Sequence, residues 1–182
     1  IVDFIFSTPN KNISIEFQGG EPLLNWGTLK FIVLYAKERN KLEKRNLSLS
    51  VVSNLTLLDE EKIDFLIKQN VSICTSFDGP EKVHNFNRRY IKGNSYLAVV
   101  KGIKKIQNKT KKPEFLQAIV TVTQASLSYP KEIVNEYLKM RLFTLFVRPF
   151  SPFGLAKEVL EKIDFSADDY LSFYKKMLDY LI

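Results

Sequence analysis

Short runs rich in β-branched and aromatic residues alternate along the chain with stretches that repeat apolar residues every three or four positions. The first pattern predicts strands and the second predicts amphipathic helices. Strands are predicted at Ile13–Gln18, Leu47–Asn54, Val71–Asp78, Phe115–Thr123 and Thr144–Pro149. Because strand and helix alternate five times without a break, the pattern predicts right-handed βαβ units and a parallel sheet.

The helix boundaries carry recognisable start signals. Pro130 suits the first turn of a helix, and Ser166-Ala167-Asp168-Asp169 has the form of a capping box. Helices are predicted to begin near Asn25, at Asp59, at Ser95 (running to Asn108), at Pro130 and after Ser166. The longest irregular stretches are predicted at Gly79–Asn94 and Phe150–Phe165.

Polar residues close every predicted strand. In α/β barrels, ligands and catalytic groups gather at the carboxyl ends of the strands. The sequence therefore predicts one shared polar site and favours a closed or partly closed barrel over a doubly wound sheet. The five ends are Gln18-Gly19-Gly20-Glu21, Ser53-Asn54, Ser76-Phe77-Asp78-Gly79-Pro80, Thr121-Val122-Thr123 and Arg148-Pro149.

The first strand end, Gly19-Gly20-Glu21-Pro22, has the most distinctive chemistry. Two glycines let the backbone approach a ligand closely, and proline fixes φ and removes a donor. Backbone carbonyls beside the Glu21 carboxylate suit an ammonium group. An ordinary βα turn is the alternative for four residues taken alone.

The third predicted strand places small and polar residues on one face. By the two-residue period, Ser72, Cys74, Ser76 and Asp78 share that face. Cys74 is interpreted as a small core residue, and the Ser76 hydroxyl could donate to a carboxylate. Two roles stay open for Asp78, namely contact with a ligand or organisation of the Asp-Gly-Pro turn.

Two arginines are candidate clamps for a carboxylate or phosphate. Arg148 is flanked by Val147 and Pro149 in an apolar strand, whereas Arg88 lies in a predicted loop where a surface role is the alternative. His84 is interpreted as a loop contact rather than an acid–base catalyst, because no carboxylate partner lies near it in sequence.

Composition limits the class of protein. The chain has 182 residues, 45% of them hydrophobic, which suits a single globular domain with a sizeable core. No apolar run is long enough to span a bilayer, so no membrane partner is expected. Its one cysteine excludes an internal disulfide and is compatible with a reducing cytoplasm, the expected location. The net charge of +7 comes from lysines on predicted polar helix faces, where solvation is favoured over nucleic-acid binding.

Several motifs together resemble one enzyme group. Phe17-Gln18-Gly19-Gly20-Glu21-Pro22-Leu23-Leu24 resembles the second strand of radical SAM enzymes of the SPASM/anaerobic sulfatase-maturase-like group. Ser53-Asn54-Leu55-Thr56-Leu57-Leu58 is similar to that group's Thr-Asn-Gly-Thr-Leu-Leu segment, with serine and leucine replacing threonine and glycine. Further similarities lie in Ser76–Pro80 with His84, Arg88 and Gly93-Asn94-Ser95, and in Val120–Thr123. Together with the Asn-Leu variant, Arg148–Gly154 is most similar to maturases of the His-Xaa-Ser peptide-modification system.

The resemblance implies a partial (β/α)6 barrel in which S-adenosylmethionine and a [4Fe–4S] cluster generate a 5′-deoxyadenosyl radical. An electron donor would act on the intact enzyme, and the radical would abstract hydrogen from a peptide or protein substrate. By matching positions, Gly19, Gly20 and Glu21, with Pro22 closing the motif, would hold the methionine amine. Ser76 would lie near the methionine carboxylate or ribose, with Asn54 close by and Asp78, Arg88 and Arg148 completing the polar lining.

The chain departs from this group in its cysteines. The group's cluster ligands form a Cys-x3-Cys-x2-Cys loop after the first strand, and one cysteine cannot hold a [4Fe–4S] cluster. We expect residues 1–182 to be a barrel fragment truncated at both ends, without the first strand and inactive alone. A barrel without a cluster that binds a peptide or nucleotide is the alternative.

Overall fold

Five parallel strands form one sheet in the computed structural model, which describes residues 1–91, 93–151 and 160–182. The strand order in the sheet equals the order in the chain, and each neighbouring pair is parallel. The sheet curls into a half-barrel, which confirms the predicted partial α/β barrel. The strands are β1 (Asn12–Phe17), β2 (Asn46–Ser53), β3 (Val71–Ser76), β4 (Leu116–Val122) and β5 (Leu145–Pro149).

Helices connect the strands. The described residues form α1 (Val2–Phe6), α2 (Trp26–Glu43), α3 (Glu60–Lys68), α4 (Glu81–Asn87), α5 (Ser95–Lys109), α6 (Pro130–Lys139), α7 (Leu160–Ile163) and α8 (Ala167–Leu181). Short 3₁₀ turns lie at Pro22–Asn25, Pro113–Phe115 and Gln124–Ser126. None of the helices in these described ranges is long and apolar enough to cross a membrane.

Most of the predicted helix starts are confirmed. Pro130 is the first residue of α6, the Asp59 side chain accepts from the Lys62 amide, and Ser166 and Asp169 form a reciprocal capping box. Both predicted irregular stretches are wrong in part, because Phe150–Phe165 contains α7 and Gly79–Asn94 contains α4. The helix α4 has only seven residues and no side-chain N-cap, so the sequence carries little signal that predicts it. Pro152–Gly154, part of one similarity noted above, lies outside the described residues.

The two faces of the sheet differ in burial. One face packs against the helices and is mostly apolar, with Val51, Ile73 and Ala118 buried. The other face, which we call the concave face, is half-buried or exposed. Its residues are Ser14, Glu16, Ser48, Ser50, Val52, Ser72, Cys74, Ser76, Gln117, Ile119, Thr121, Phe146 and Arg148.

Leu55 stands where the resembling group has glycine, and its backbone shows why glycine is usual. Its φ is 62°, in the left-handed region that costs a side-chain-bearing residue about 1–2 kcal/mol. The side chain is nonetheless buried, at 3% exposure, against Gly102 of α5. A Cβ on Gly102 would lie 2.6 Å from Leu55 Cβ and 2.9 Å from Leu55 Cδ1. Gly102 therefore supplies the space that Leu55 fills.

We expect Gly102→Ala to lower the free energy of unfolding by about 2 kcal/mol, because the added methyl overpacks against Leu55. In a Leu55→Gly background the same change should cost clearly less, and a double-mutant cycle from urea unfolding measures the difference. Gly27→Ala in α2 is the control, since its Cβ meets no atom within 4 Å. Equal costs in both backgrounds would disprove the coupling.

Candidate functional site

The Glu21 carboxylate joins the carboxyl ends of β1 and β2. Its Oε1 accepts from the Leu23 amide at 3.1 Å and from Ser53 Oγ at 2.8 Å, and its Oε2 accepts from the Asn54 amide at 2.9 Å. The side chain caps the 3₁₀ turn that begins at Pro22, so the residue serves two elements. Three donors hold the carboxylate in one orientation beside the glycine pair.

Gly19 and Gly20 are exposed at the end of β1. Gly19 has φ 146°, which residues with a side chain rarely adopt. A Cβ built on either glycine meets nothing within 4 Å. The glycines are therefore not required by close packing against the described protein atoms, and the backbone is open to approach from outside.

Asn54 organises the turn that follows β2. Its Oδ1 accepts from the Thr56 amide at 2.9 Å and from Thr56 Oγ1 at 2.6 Å, while its own amide donates to Glu21. The buried Ser53 hydroxyl also accepts from the Leu55 amide at 3.0 Å. These bonds fix the β2 end relative to Glu21, and they place Asn54 and Glu21 side by side.

Ser76 and Cys74 lie on the concave face at the middle strand, β3, and both are half-buried. Burial raises the pKa of the Cys74 thiol, and the negative charge of Glu16 raises it further while Arg148 opposes the change. Glu16 of β1 and Arg148 of β5 thus act on the same face of the sheet. Sequence reasoning did not single out Glu16, although its place in the alternating run of β1 could have revealed it.

Asp78 is fully buried, although the strand alternation would leave it on the half-buried face with Ser76. The alternation stops because β3 ends at Ser76. The Asp78 carboxylate accepts from Arg88 Nε at 2.8 Å, Arg88 Nη2 at 3.2 Å and the Thr121 amide at 2.9 Å. Asn87 Nδ2 donates to it at 3.3 Å. Asp78 therefore links Arg88, at the end of α4, to Thr121 of β4.

Arg88 and Arg148 both lie beside Thr121, near the end of β4. Arg88 Nη2 donates to Thr121 Oγ1 at 3.2 Å, and Thr121 is the register partner of Arg148 on β5. Arg88 keeps 30% of its side chain exposed despite the ion pair with Asp78, and Arg148 is exposed. The structure thus places both arginines on the β3–β5 side of the carboxyl edge, whereas Glu21 lies on the β1–β2 side.

His84 lies in α4, so the expectation that it lies in a loop is wrong. The side chain is 2% exposed and packs against Phe77 and Tyr96, and its Nδ1 accepts from the Asp78 amide at 3.2 Å. Burial lowers the pKa of His84 from 6.5 to about 4, and the Asp78 carboxylate only partly offsets this effect. His84 is neutral near pH 7 and supports the backbone of the Asp78 turn.

The predicted site residues thus fall into two groups along one edge. Gly19, Gly20, Glu21, Pro22 and Asn54 form the β1–β2 group, and Asp78, Arg88 and Arg148 form the β3–β5 group, with Ser76 on β3 between them. Ser53, Asn87 and Thr121 contact these residues but are not in the predicted set. Across residues 1–91, 93–151 and 160–182, no cluster of three or more His, Cys, Asp or Glu side chains could hold a metal ion.

Comparison with known proteins gives a consistent result. The sequence model of the Radical SAM superfamily matches residues 9–137, well over half of the chain. A cysteine-type anaerobic sulfatase-maturating enzyme from Clostridium perfringens is 28% identical over 99% of the chain and 48% of its own length. The radical SAM cyclopropyl synthase TigE from Paramaledivibacter caminithermalis is 34% identical over 47% of the chain and 18% of its own length. The chain spans about half the length of the sulfatase-maturating relative. The segment aligned with TigE covers a smaller share of that protein.

Solved structures share the fold. Native anSMEcpe with bound AdoMet and Kp18Cys peptide superposes with a TM-score of 0.83 at 22% identity, covering 98% of this chain and 49% of that one. A domain of a pyruvate-formate lyase-activating enzyme from Bacteroides vulgatus gives a TM-score of 0.60 at 14% identity, covering 92% of this chain and 94% of that one. S-adenosylmethionine and a [4Fe–4S] cluster, the cofactors expected from the sequence, are those of the matched family. By its sequence match and its half-barrel, the chain belongs to the Radical SAM superfamily.

Proposed function

We propose that this chain is the cosubstrate-binding part of an enzyme that cleaves S-adenosylmethionine to a 5′-deoxyadenosyl radical and abstracts hydrogen from a peptide or protein. The observation that carries the proposal is the Glu21 carboxylate, held by Ser53 and Asn54 beside the open Gly19–Gly20 backbone. Family membership supports the reaction class, and the relatives support the substrate class.

The Glu21 geometry fits an ammonium group. An ionised carboxylate has about four acceptor positions, and the protein donors described above occupy three of them. The remaining position, next to the exposed glycine carbonyls, suits one N–H of the methionine amine. Glu21 would bind the amine, and Ser53 would keep the carboxylate oriented for it.

The β3–β5 group fits the acidic end of the same molecule. Ser76 would donate its hydroxyl to the methionine carboxylate or the ribose, with Asn54 at the neighbouring strand end. Arg148 and the exposed part of Arg88 supply positive charge opposite Glu21. For Asp78 we propose a role that differs from both ligand contact and organisation of the Asp-Gly-Pro turn, namely the positioning of Arg88, because its burial and its bonds to Arg88 suit that role.

A [4Fe–4S] cluster does not fit these residues. The 182 residues contain a single cysteine, Cys74 in β3, and clusters of this type require several thiolate ligands. We therefore propose that these residues alone bind S-adenosylmethionine without cleaving it. The reaction would take place in a longer protein that supplies the ligands, in a reducing compartment such as the cytoplasm and with a separate electron donor.

We expect Glu21→Gln to weaken S-adenosylmethionine binding at least about ten-fold, because the variant loses the charge that pairs with the amine. Isothermal titration calorimetry measures the affinity, and circular dichroism checks the fold. Glu61→Gln, an exposed position on α3, is the matched control and should bind like the unmodified protein. Unchanged affinity in Glu21→Gln would disprove the assigned role of Glu21.

The activity itself is tested on the longer protein. After anaerobic cluster reconstitution and reduction with dithionite, chromatography should detect 5′-deoxyadenosine formed from S-adenosylmethionine. A reconstituted protein that binds iron and forms none would overturn the proposed reaction. A parent protein that binds neither iron nor S-adenosylmethionine would support the barrel without a cluster instead.

A further inference from the structure

A groove lies beside the proposed cosubstrate site, on the rim formed by the β2–α3 turn and α5. Its volume is about 150 Å³, and its apolar floor is made by Leu55, Leu58 and Ala98. Thr56 and Tyr90 form parts of its wall, and Lys101 and Lys105 stand at its lip, with Gly102 between them. Leu55 packs against Gly102 at the base of this lining, so α5 and the β2–α3 turn are in direct contact there.

The two lysines at the lip differ from the next lysine on the same helix face. Lys101, Lys105 and Lys109 follow one another at intervals of four residues, so they line up along α5. Lys109 pairs with Asp64 at 2.9 Å and with Glu60 at 3.6 Å. Within the part of the chain that the structure describes, Lys101 and Lys105 have no carboxylate within 4.0 Å. Their positive charge is therefore available to a ligand.

The groove is connected to the proposed cosubstrate site by two residues. The Thr56 amide and hydroxyl donate to Asn54 Oδ1, and the Asn54 amide donates to Glu21 Oε2. A chain that enters the carboxyl end of the half-barrel over the β2 strand end would cross this rim. The position therefore suits the part of a peptide that flanks a reacting residue.

We propose that this groove binds an acidic segment of the peptide substrate, with an apolar side chain on Leu55 and Leu58 and adjacent carboxylates on Lys101 and Lys105. The inference rests on the peptide substrate proposed above and adds its charge and its docking site. The volume holds about one large side chain, which suits a short apolar–acidic segment. Stacked nucleic-acid bases would need a platform of aromatic residues, and among the lining residues Tyr90 alone is aromatic.

The test uses a fluorescein-labelled peptide, (Glu-Leu-Asp)₃, and fluorescence anisotropy at low salt. We expect the Lys101→Gln/Lys105→Gln double variant to bind the peptide about ten-fold more weakly, since two partly exposed charge pairs are lost. Lys104→Gln, on the same helix but outside the groove, and Lys109→Gln should stay within about two-fold of the unmodified protein. A peptide with serine in place of leucine should also bind more weakly.

Three results would overturn the proposal. The double variant could bind like the unmodified protein, Lys104→Gln could weaken binding as much as the double variant does, or a single-stranded RNA of equal charge could bind more tightly than the peptide. The S-adenosylmethionine affinity of the double variant, measured by calorimetry, should stay unchanged. Unchanged peptide binding by the double variant, together with normal 5′-deoxyadenosine formation by the longer protein, would show that this inference fails while the proposed reaction stands.

Discussion

Replacing Asp78 with alanine should lower the free energy of unfolding by about 3 kcal/mol, the largest effect expected of a single substitution at the site. The carboxylate is fully buried and accepts from Arg88, Asn87 and the Thr121 amide. Alanine would leave these donors without their acceptor in the protein interior. The exposed fraction of Arg88, 30%, lets water solvate part of its charge and keeps the cost below the upper range for buried pairs.

Urea unfolding followed by circular dichroism measures this cost. Asp64→Ala is the control, because its carboxylate is exposed and pairs with Lys109 at the surface, where an ion pair contributes about 0–1 kcal/mol. Asp78→Asn should fall between the two, since the amide keeps one oxygen acceptor but loses the charge. If Asp78→Ala proved no more costly than Asp64→Ala, the positioning role of Asp78 would be ruled out.

Stability should fall as the pH drops from about 6.5 to about 4, because of His84. Burial lowers the pKa of this histidine to about 4 in the folded protein, whereas the unfolded chain has the ordinary value of 6.5. Between these values the unfolded state binds a proton that the folded state does not, so protonation favours unfolding. The stability is fully present above pH 6.5 and the loss is complete near pH 4, at about 3 kcal/mol in all.

The measurement compares the unfolding free energy of the protein and of His84→Gln at several pH values. Glutamine stays neutral and carries an oxygen that can accept from the Asp78 amide, so its curve should be flatter over this range. The difference between the curves removes the contribution of carboxylates, which titrate in both proteins. Parallel curves would show that His84 does not take up the proton on unfolding.

The sequence predicted the strands well and the contacts between them poorly. Alternation and turn residues located all five strands to within about two residues, because each signal is local. The bond between Glu21 and Ser53 joins residues 32 positions apart and depends on the parallel register of β1 and β2. Neither the alternation within a strand nor the turn residues at its ends specify which residues of two strands pair.

The α4 region shows a second limit of local reasoning. The sequence predicts a loop for Arg88, and the structure places this residue directly after α4. Because the sequence does not predict α4, it gives no basis for judging the distance between Arg88 and Asp78. The helix spans seven residues and brings Arg88 back onto the carboxylate that precedes it by ten positions. For Asp78 the sequence leaves ligand contact and turn organisation open, and it does not reveal that the carboxylate also contacts β4 through Thr121.

The bridge made by Glu21 has a consequence for how the half-barrel responds to a ligand. β1 is an edge strand of the described sheet, and Glu21 extends its pairing with β2 beyond the last backbone hydrogen bonds. A molecule that binds this carboxylate and leaves its three protein donors in place would stabilise the edge, whereas one that competes with Ser53 or Asn54 would loosen it. Under the role proposed for Glu21, cosubstrate binding and the local order of the sheet edge would be thermodynamically linked.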